Sequence, residues 1–230
     1  VNQRGIYNDL MRKYHSEGHI LYIVCGIERR EGKRTYLVQE DRISTLYIRT
    51  LNLQKTNVIE KGLGEVSIEY LFTRAIKKFY KNVDFDLILY TTPPVTFAGV
   101  VARMKKIYPK AVSYLILKDM FPQNAVDMGM MKTTGLFGIL YRHFRKQEKQ
   151  LYKVSDFIGC MSPEHINYLL KHNSFISVEK VNICPNSIEL IENRSYGEIK
   201  NERKDILVKY GIPVDKPIFI YGGNLGVPQD

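Results

Sequence analysis

The sequence lacks the features that mark membrane-spanning, disulfide-bonded and metal-binding proteins. No stretch approaches the roughly 18 consecutive apolar residues that a membrane-spanning helix needs. The three cysteines form no CxxC pair, and the five histidines have neither HxH nor HxxxH spacing. We therefore expect three reduced cysteines that pack as small apolar side chains in a cytosolic protein, and no bound metal.

Acidic residues are scarce relative to basic ones. The 230 residues include 34 Lys or Arg and 24 Asp or Glu, which gives a net charge of +10. Between residues 101 and 153, eleven basic residues stand against three acidic ones. Such an excess favours a polyanionic partner, namely a lipid surface, a nucleic acid or a phosphorylated substrate. We expect no nucleic acid, because neither the aromatic–basic pattern of RNA-binding motifs nor a zinc motif occurs.

Short apolar runs typical of strands alternate with amphipathic patterns typical of helices. The predicted strands are residues 20–24, 46–51, 87–90, 112–117, 157–161, 181–184 and 218–221. The predicted helices are residues 7–17, 64–82, 95–107, 136–154 and 163–171. Unbroken apolar strands suit a parallel sheet that is covered on both faces. The alternation therefore predicts an α/β, Rossmann-like doubly wound parallel sheet.

A polar segment, residues 188–216, separates the last predicted strand from the others. Its composition predicts a linker and a short helix that lead into a new unit. We therefore expect a main domain over residues 1–190 and the start of a second domain over residues 191–230.

The loops that follow the predicted strands are the expected ligand-binding positions of an open α/β sheet. Asp119 lies in "LILKDMFP", where a carboxylate can accept a proton, cap a helix or pair with Lys118. Asn186 lies in "NICPNSIE", where its amide can hold a ligand or form a plain turn. In "TTPP", the hydroxyls of Thr91 and Thr92 either contact a polar substrate or belong to an ordinary loop.

A glycine-rich loop occurs in "IYGGNLG", near the last residue of the sequence. Its residues are Gly222, Gly223, Asn224 and Gly226. Glycines expose backbone N–H groups that can cradle a diphosphate. The spacing is neither GxGxxG nor the P-loop pattern, so a tight turn explains it equally well. Without GxGxxG after an early strand, a dinucleotide-dependent enzyme is a weak alternative.

The predicted helix over residues 136–154 carries basic residues on one side. At 100° per residue, five of them fall within an arc of roughly 100°; they are Arg142, Arg145, Lys146, Lys149 and Lys153. Near the opposite side lie Phe137, Leu140, Phe144 and Leu151. The basic face is either ordinary solvated surface or faces an anionic membrane, where each base near the lipid contributes about 1 kcal/mol.

Six segments, taken in order, resemble the family 4 glycosyltransferases of the GT-B type, above all the bacterial branch that builds capsule, exopolysaccharide or O-antigen repeats. The segments are "GIYNDLMRKYHSEGHILYIV", "TTPP", "LILKDMFP", "LYKVSDFIGCMSP", "VNICPNSIEL" and "DKPIFIYGGNLG". That family has two Rossmann-like domains facing a cleft, retains the anomeric configuration and usually needs no metal. The resemblance implies transfer of a sugar from a nucleotide-sugar donor to a lipid-linked saccharide acceptor, at the inner membrane face.

The resemblance also implies roles for individual residues. Arg4 and Gly5 match the loop near the acceptor, and Asp119 matches the acidic or His residue near the reacting centre. Asn186 matches a Pro-Asn-Gly turn at the interdomain cleft and implies a donor contact, although Ser187 replaces the glycine. The residues that match the glycine loop under the donor diphosphate are Gly222, Gly223, Asn224 and Gly226.

The sequence departs from the family at both ends. The family begins with a strand before "NQRGIYNDL", and past "YGGNLG" it continues for about another domain that carries a Glu-x7-Glu-type motif. The resemblance thus implies an acceptor-side domain over residues 1–190 and the beginning of a donor-binding domain over residues 191–230, with little activity alone. The alternative is a non-catalytic basic domain that docks on a membrane surface or a partner.

Overall fold

A computed structural model describes residues 4–52, 58–92, 94–135, 137–190 and 196–223. The chain divides into two compact units, Val1–Ser187 and Ile188–Asp230.

The first unit contains a mixed sheet of three strands. They are β1 (Leu21–Glu28), β2 (Tyr36–Glu40) and β3 (Ile43–Thr50), in the order β1-β3-β2. β1 is parallel to β3, and β2 is antiparallel to it. β2 was not predicted, because the segment "TYLVQE" has polar residues at both ends. In the structure, the first three residues of β2 are half-buried and the last two are exposed. β2 is held by its turn into β3 and by the stacking of Tyr36 on Tyr47, whose ring centroids are 4.7 Å apart.

The first unit also contains a parallel sheet of four strands, in chain order. They are β4 (Leu87–Thr91), β5 (Val112–Leu117), β6 (Phe157–Cys160) and β7 (Val181–Ile183). All three pairings are parallel, so the prediction of an α/β unit with a parallel sheet is confirmed. The arrangement is compatible with a Rossmann-like fold. Among the described residues, however, the strands form two sheets and not the single doubly wound sheet that the sequence predicts.

Within the described ranges, six α-helices belong to the first unit and one belongs to the second. They are α1 (Ile6–Ser16), α2 (Val58–Phe79), α3 (Phe97–Ile107), α4 (Gln123–Asp127), α5 (Phe137–Val154), α6 (Pro163–His172) and, in the second unit, α7 (Tyr196–Lys209). None of the helices in the described ranges is long and apolar enough to cross a membrane. The short helix α4 was not predicted.

Two apolar clusters form the core of the first unit. One joins the mixed sheet to α2 and α3 and includes Leu46, Ile48, Phe72, Ile76 and Met104. The other packs α5 and α6 against the parallel sheet and includes Leu115, Leu117, Leu151, Ile158 and Leu169. Burial therefore follows the strand and helix periodicity of the sequence, as the hydrophobic effect requires.

Leu140, which the helical pattern places on the apolar side of α5, is 48% exposed. The second half of α5 supplies Leu151 and Tyr152 to the core cluster, and earlier along the helix Phe144 packs edge-on against Phe121. Near the start of α5, Leu140 therefore lies on the apolar side of the helix but is half exposed to solvent.

The prediction of a strand over residues 218–221 was wrong. This segment is irregular, and Phe219 and Ile220 are 96% and 87% exposed. A strand needs a hydrogen-bonding neighbour, and the described residues of the second unit contain α7 and no strand that could pair with it. These residues therefore do not form a strand, although their apolar composition is typical of one.

Candidate functional site

The start of α1 packs at the edge of the parallel sheet where its strands end. The hydroxyl of Tyr7 donates a hydrogen bond to Oγ1 of Thr91, at the end of β4, over 2.9 Å. Nζ of Lys118, the first residue after β5, lies 4.1 Å from the centroid of the Tyr7 ring. This distance suits a cation–π contact. α1 and the ends of β4 and β5 are thus joined at the edge where α/β sheets bind ligands.

The two threonines of "TTPP" have structural partners. Thr92 is buried, and its Oγ1 accepts a hydrogen bond from the backbone N–H of Lys118 over 3.2 Å. Oγ1 of Thr91 accepts a hydrogen bond from the hydroxyl of Tyr7 and donates one to the backbone carbonyl of Thr92. Their hydroxyls therefore hold the ends of β4 and β5 together, which favours the ordinary-loop interpretation of this motif.

Asp119 follows Lys118 at the same edge and is exposed. Within the described part of the chain, its carboxylate forms no hydrogen bond and no ion pair. A carboxylate with free lone pairs at a strand end can accept a hydrogen bond or a proton from a bound hydroxyl group.

His165, which sequence reasoning missed, lies close enough to Asp119 for their charges to interact. It stands in the first turn of α6, where its backbone N–H donates to Oγ of the N-cap residue Ser162 over 3.2 Å. The backbone N–H of Met161 donates to Nδ1 of the ring over 3.3 Å. Because Nδ1 accepts, the proton of the neutral ring is carried by Nε2.

The Nε2 atom of His165 is closed to solvent and has no hydrogen-bond partner among the described residues. Burial lowers the pKa of His165, and the charge of Asp119 offsets that effect only in part. The ring is therefore neutral at neutral pH. A buried N–H without an acceptor costs about 1–3 kcal/mol, so this donor is an unusual feature that calls for a functional explanation.

Arg4 and Gly5, the predicted acceptor-binding residues, lie at the start of α1. The N–H of Gly5 donates to Oδ1 of Asp9 over 3.1 Å, and Nη2 of Arg4 lies 3.8 Å from the other carboxylate oxygen. Arg12 also pairs with Asp9, which is buried. A Cβ at Gly5 would meet only the side-chain nitrogen of Asn8, at 3.9 Å, so this position has room for a side chain.

The five basic residues of α5 do not all point to solvent. A concavity of about 440 Å³ on this helix is lined by Tyr141, Arg142, Arg145, Lys146, Lys149, Gln150 and Lys153. Arg145 is tied to Glu148 over 2.6 Å and to Oδ1 of Asn173 over 2.8 Å. It therefore serves the packing of α5, whereas Arg142, Lys146, Lys149 and Lys153 are exposed.

The predicted donor-binding residues are divided between the first unit, the second unit and the residues outside the described ranges. Asn186 is exposed in the irregular segment after β7. Gly222 and Gly223 belong to the second unit, and a Cβ at Gly222 would meet nothing within 4 Å. Asn224 and Gly226 lie outside the described residues.

No group of three or more metal-ligating side chains converges anywhere in the part of the chain that the structure describes. The burial of Cys160 raises the pKa of its thiol to about 11, so this cysteine is a poor nucleophile and a poor metal ligand.

No protein-family model matches the chain, and no curated protein is similar enough to count as a match. The order of the sequence motifs and the chemistry of the site at Asp119 are therefore the grounds for a function.

Proposed function

We propose that the protein is a retaining glycosyltransferase of family 4 and the GT-B type, in which residues 1–190 form the acceptor-side domain. It transfers a sugar from a nucleotide-sugar donor to a hydroxyl of a lipid-linked saccharide, in the biosynthesis of a surface polysaccharide. The observation that carries the proposal is the unpaired, exposed carboxylate of Asp119 at the end of a parallel strand.

In the proposed reaction, the bond between the anomeric carbon and the donor diphosphate breaks, and a bond from that carbon to the acceptor oxygen forms. Asp119 either accepts the proton that the acceptor hydroxyl loses or stabilises the positive charge that develops on the sugar ring. The leaving diphosphate is stabilised by the backbone N–H groups of the glycine loop, which the resemblance assigns to Gly222, Gly223, Asn224 and Gly226. Neither step requires a metal.

Replacing Asp119 by Asn in the protein expressed from its complete gene tests this proposal. We expect kcat to fall by at least about tenfold, because the amide neither takes up a proton nor carries a negative charge. The assay measures nucleoside diphosphate released from a panel of UDP- and GDP-linked sugars, with lipid-linked saccharides as acceptors.

A matched control is available in Asp86, an exposed carboxylate directly before β4, at the opposite end of the same sheet. Asp86→Asn should leave turnover unchanged. If Asp119→Asn turned over as fast as the wild type, Asp119 would have no role in the reaction.

The second candidate function is a non-catalytic domain that docks on an anionic membrane surface. It is favoured by the exposed bases of α5, Arg142, Lys146, Lys149 and Lys153, which line one concavity. The exposed apolar residues Ile139 and Leu140 lie less than one turn before Arg142, the first of these bases, on the same helix. Bases for lipid head groups next to apolar side chains are the composition of an interfacial helix. Peripheral attachment at the inner membrane face also suits a transferase with a lipid-linked acceptor.

Liposome co-sedimentation tests the membrane contact. Reversing Arg142, Lys146 and Lys149 to Glu should weaken binding to anionic liposomes at least about tenfold, since each base near the lipid contributes about 1 kcal/mol. Arg145 stays unchanged because it holds Glu148. Reversal of Lys77, Lys78 and Lys81, three exposed bases at and beyond the end of α2, is the matched control. Equal sedimentation with neutral and anionic liposomes would mean that the basic face is only solvated surface.

A further inference from the structure

The ring of His165 has no role in the reaction proposed above, although its Nε2 atom is buried without a hydrogen-bond partner among the described residues. The ring is fixed from two sides, since its backbone N–H is bonded to the cap residue Ser162 and its Nδ1 accepts from the N–H of Met161. Both partners belong to the turn between β6 and α6. The ring therefore has a defined orientation and a defined tautomer, with its proton on Nε2.

The Nε2–H group is a donor without an acceptor in the described part of the protein, and it is shielded from water. Asp119 is an acceptor without a described donor, it is exposed, and its charge acts on the His165 ring. The two residues follow adjacent parallel strands, β5 and β6, whose carboxyl ends lie side by side. Both groups therefore lie at the same edge of the parallel sheet, one as a donor and the other as an acceptor without a described partner.

We propose that His165 is a positioning residue for Asp119: its Nε2–H donates to one carboxylate oxygen of Asp119 and so turns the other oxygen toward the acceptor hydroxyl. This role rests on the proposed function of Asp119. The neutral ring suits the role, because a neutral donor orients the carboxylate while leaving it ionised and able to accept a proton. No proton needs to leave His165 at any step.

Nitrogen NMR of the His165 ring tests the contact in the 230-residue chain, without any substrate. We expect a proton on Nε2 and none on Nδ1 in the neutral ring. Asp119→Asn should move the titration midpoint of His165 to lower pH, because the carboxylate no longer favours the protonated ring. Asp86→Asn, the control, should leave that midpoint in place. A proton on Nδ1, or a midpoint that Asp119→Asn leaves unchanged, overturns the inference.

Kinetics of three variants of the protein from its complete gene test the role. His165→Gln puts an amide nitrogen near the place of Nε2 and keeps a donor for Asp119. His165→Asn puts an amide oxygen near the place of Nδ1, so it keeps the acceptor for Met161 but loses that donor. His165→Leu loses both. We expect kcat to fall about tenfold in the Asn and Leu variants with KM unchanged, and the Gln variant to recover most of the loss.

The two experiments separate the possible failures. If the Asn variant is as active as the wild type and the Gln variant is not, the ring only supports Met161, and the inference is overturned. If the wild type transfers no sugar from any donor in the panel, the proposed function fails and the role in catalysis fails with it. The NMR titration then still decides whether His165 and Asp119 are neighbours.

Discussion

Carboxylates in the first unit differ in burial, in ion pairing and in their position on the sheet. Asp84 and Asp86 are exposed like Asp119, but they precede β4 at the opposite sheet edge, so Asp119 is distinguished by its place at the ends of the strands. Asp9 and Glu148 are buried, and Asp156 is partly buried between two elements. Each has a cationic partner in the structure; the partners are Arg12, Arg145 and Lys105, respectively. Charged side chains that are buried on folding are usually paired with a group of opposite charge. Asp119 is exposed and unpaired, so a folding role does not explain its position at the strand end.

Asp156 is a carboxylate with a structural role, and its contacts predict how the stability of the fold depends on pH. Its carboxylate accepts from the N–H and the hydroxyl of Ser113 over 2.8 and 2.9 Å, and it pairs with Lys105. Burial raises the pKa of Asp156, but Lys105 and the two Ser113 donors outweigh that effect, so the pKa lies below its ordinary value. The carboxylate joins β5, α3 and the end of α5.

Because the folded pKa of Asp156 is the lower one, its charge stabilises the fold above the unfolded pKa, and this contribution is lost as the pH falls through the folded value. Asp156→Asn should lower the free energy of unfolding by about 1–2 kcal/mol at pH 7, a modest value because the side chain is 38% exposed. Chemical denaturation at pH 7 and near pH 3 measures the difference, with exposed Asp84→Asn as the control. An equal loss at both pH values would exclude the carboxylate charge as the cause.

At the scale of elements, apolar runs predict strands well where a neighbouring strand is available to pair with them, and they miss a strand with polar ends. β5 was predicted with its observed bounds, 112–117, because its apolar run is interrupted only by Ser113 and its last three residues, Leu115 to Leu117, are buried. β2 was missed, since its polar ends suit a strand at the sheet edge as well as a loop. Residues 218–221 were predicted as a strand but are irregular, because apolar residues form a strand only where a neighbouring strand can pair with them.

The same limit applies to the site. The rule that ligands bind at strand ends led to Asp119 and to the threonines after β4 from sequence alone. His165 could not be found by spacing, because its relation to Asp119 depends on the pairing of β5 with β6. A signal was present in "MSPEH": Ser-Pro after a strand predicts a helix start, and such a start lies at the same sheet edge.

At the scale of the whole first unit, the end strands of the two sheets line one apolar cavity. β1 is the end strand of the mixed sheet and β4 the end strand of the parallel sheet, within the described residues. Tyr22 and Val24 of β1, with Leu89 of β4, line a cavity of about 290 Å³. β1 carries no charge before Glu28, and β4 carries none, as suits two strands that contribute side chains to one apolar core.

We therefore expect truncation of Val24, whose side chain packs against the core cluster of α2 and α3, to destabilise the first unit. Val24→Ala should lower the free energy of unfolding by about 1–2 kcal/mol, because it removes two carbon atoms from the wall of the cavity. Chemical denaturation at pH 7 measures the change. Val112→Ala, at the exposed start of β5, is the matched control and should change the free energy of unfolding by less than about 0.5 kcal/mol. Equal losses in the two variants would show that the strand preference of valine, and not the cavity, sets the cost.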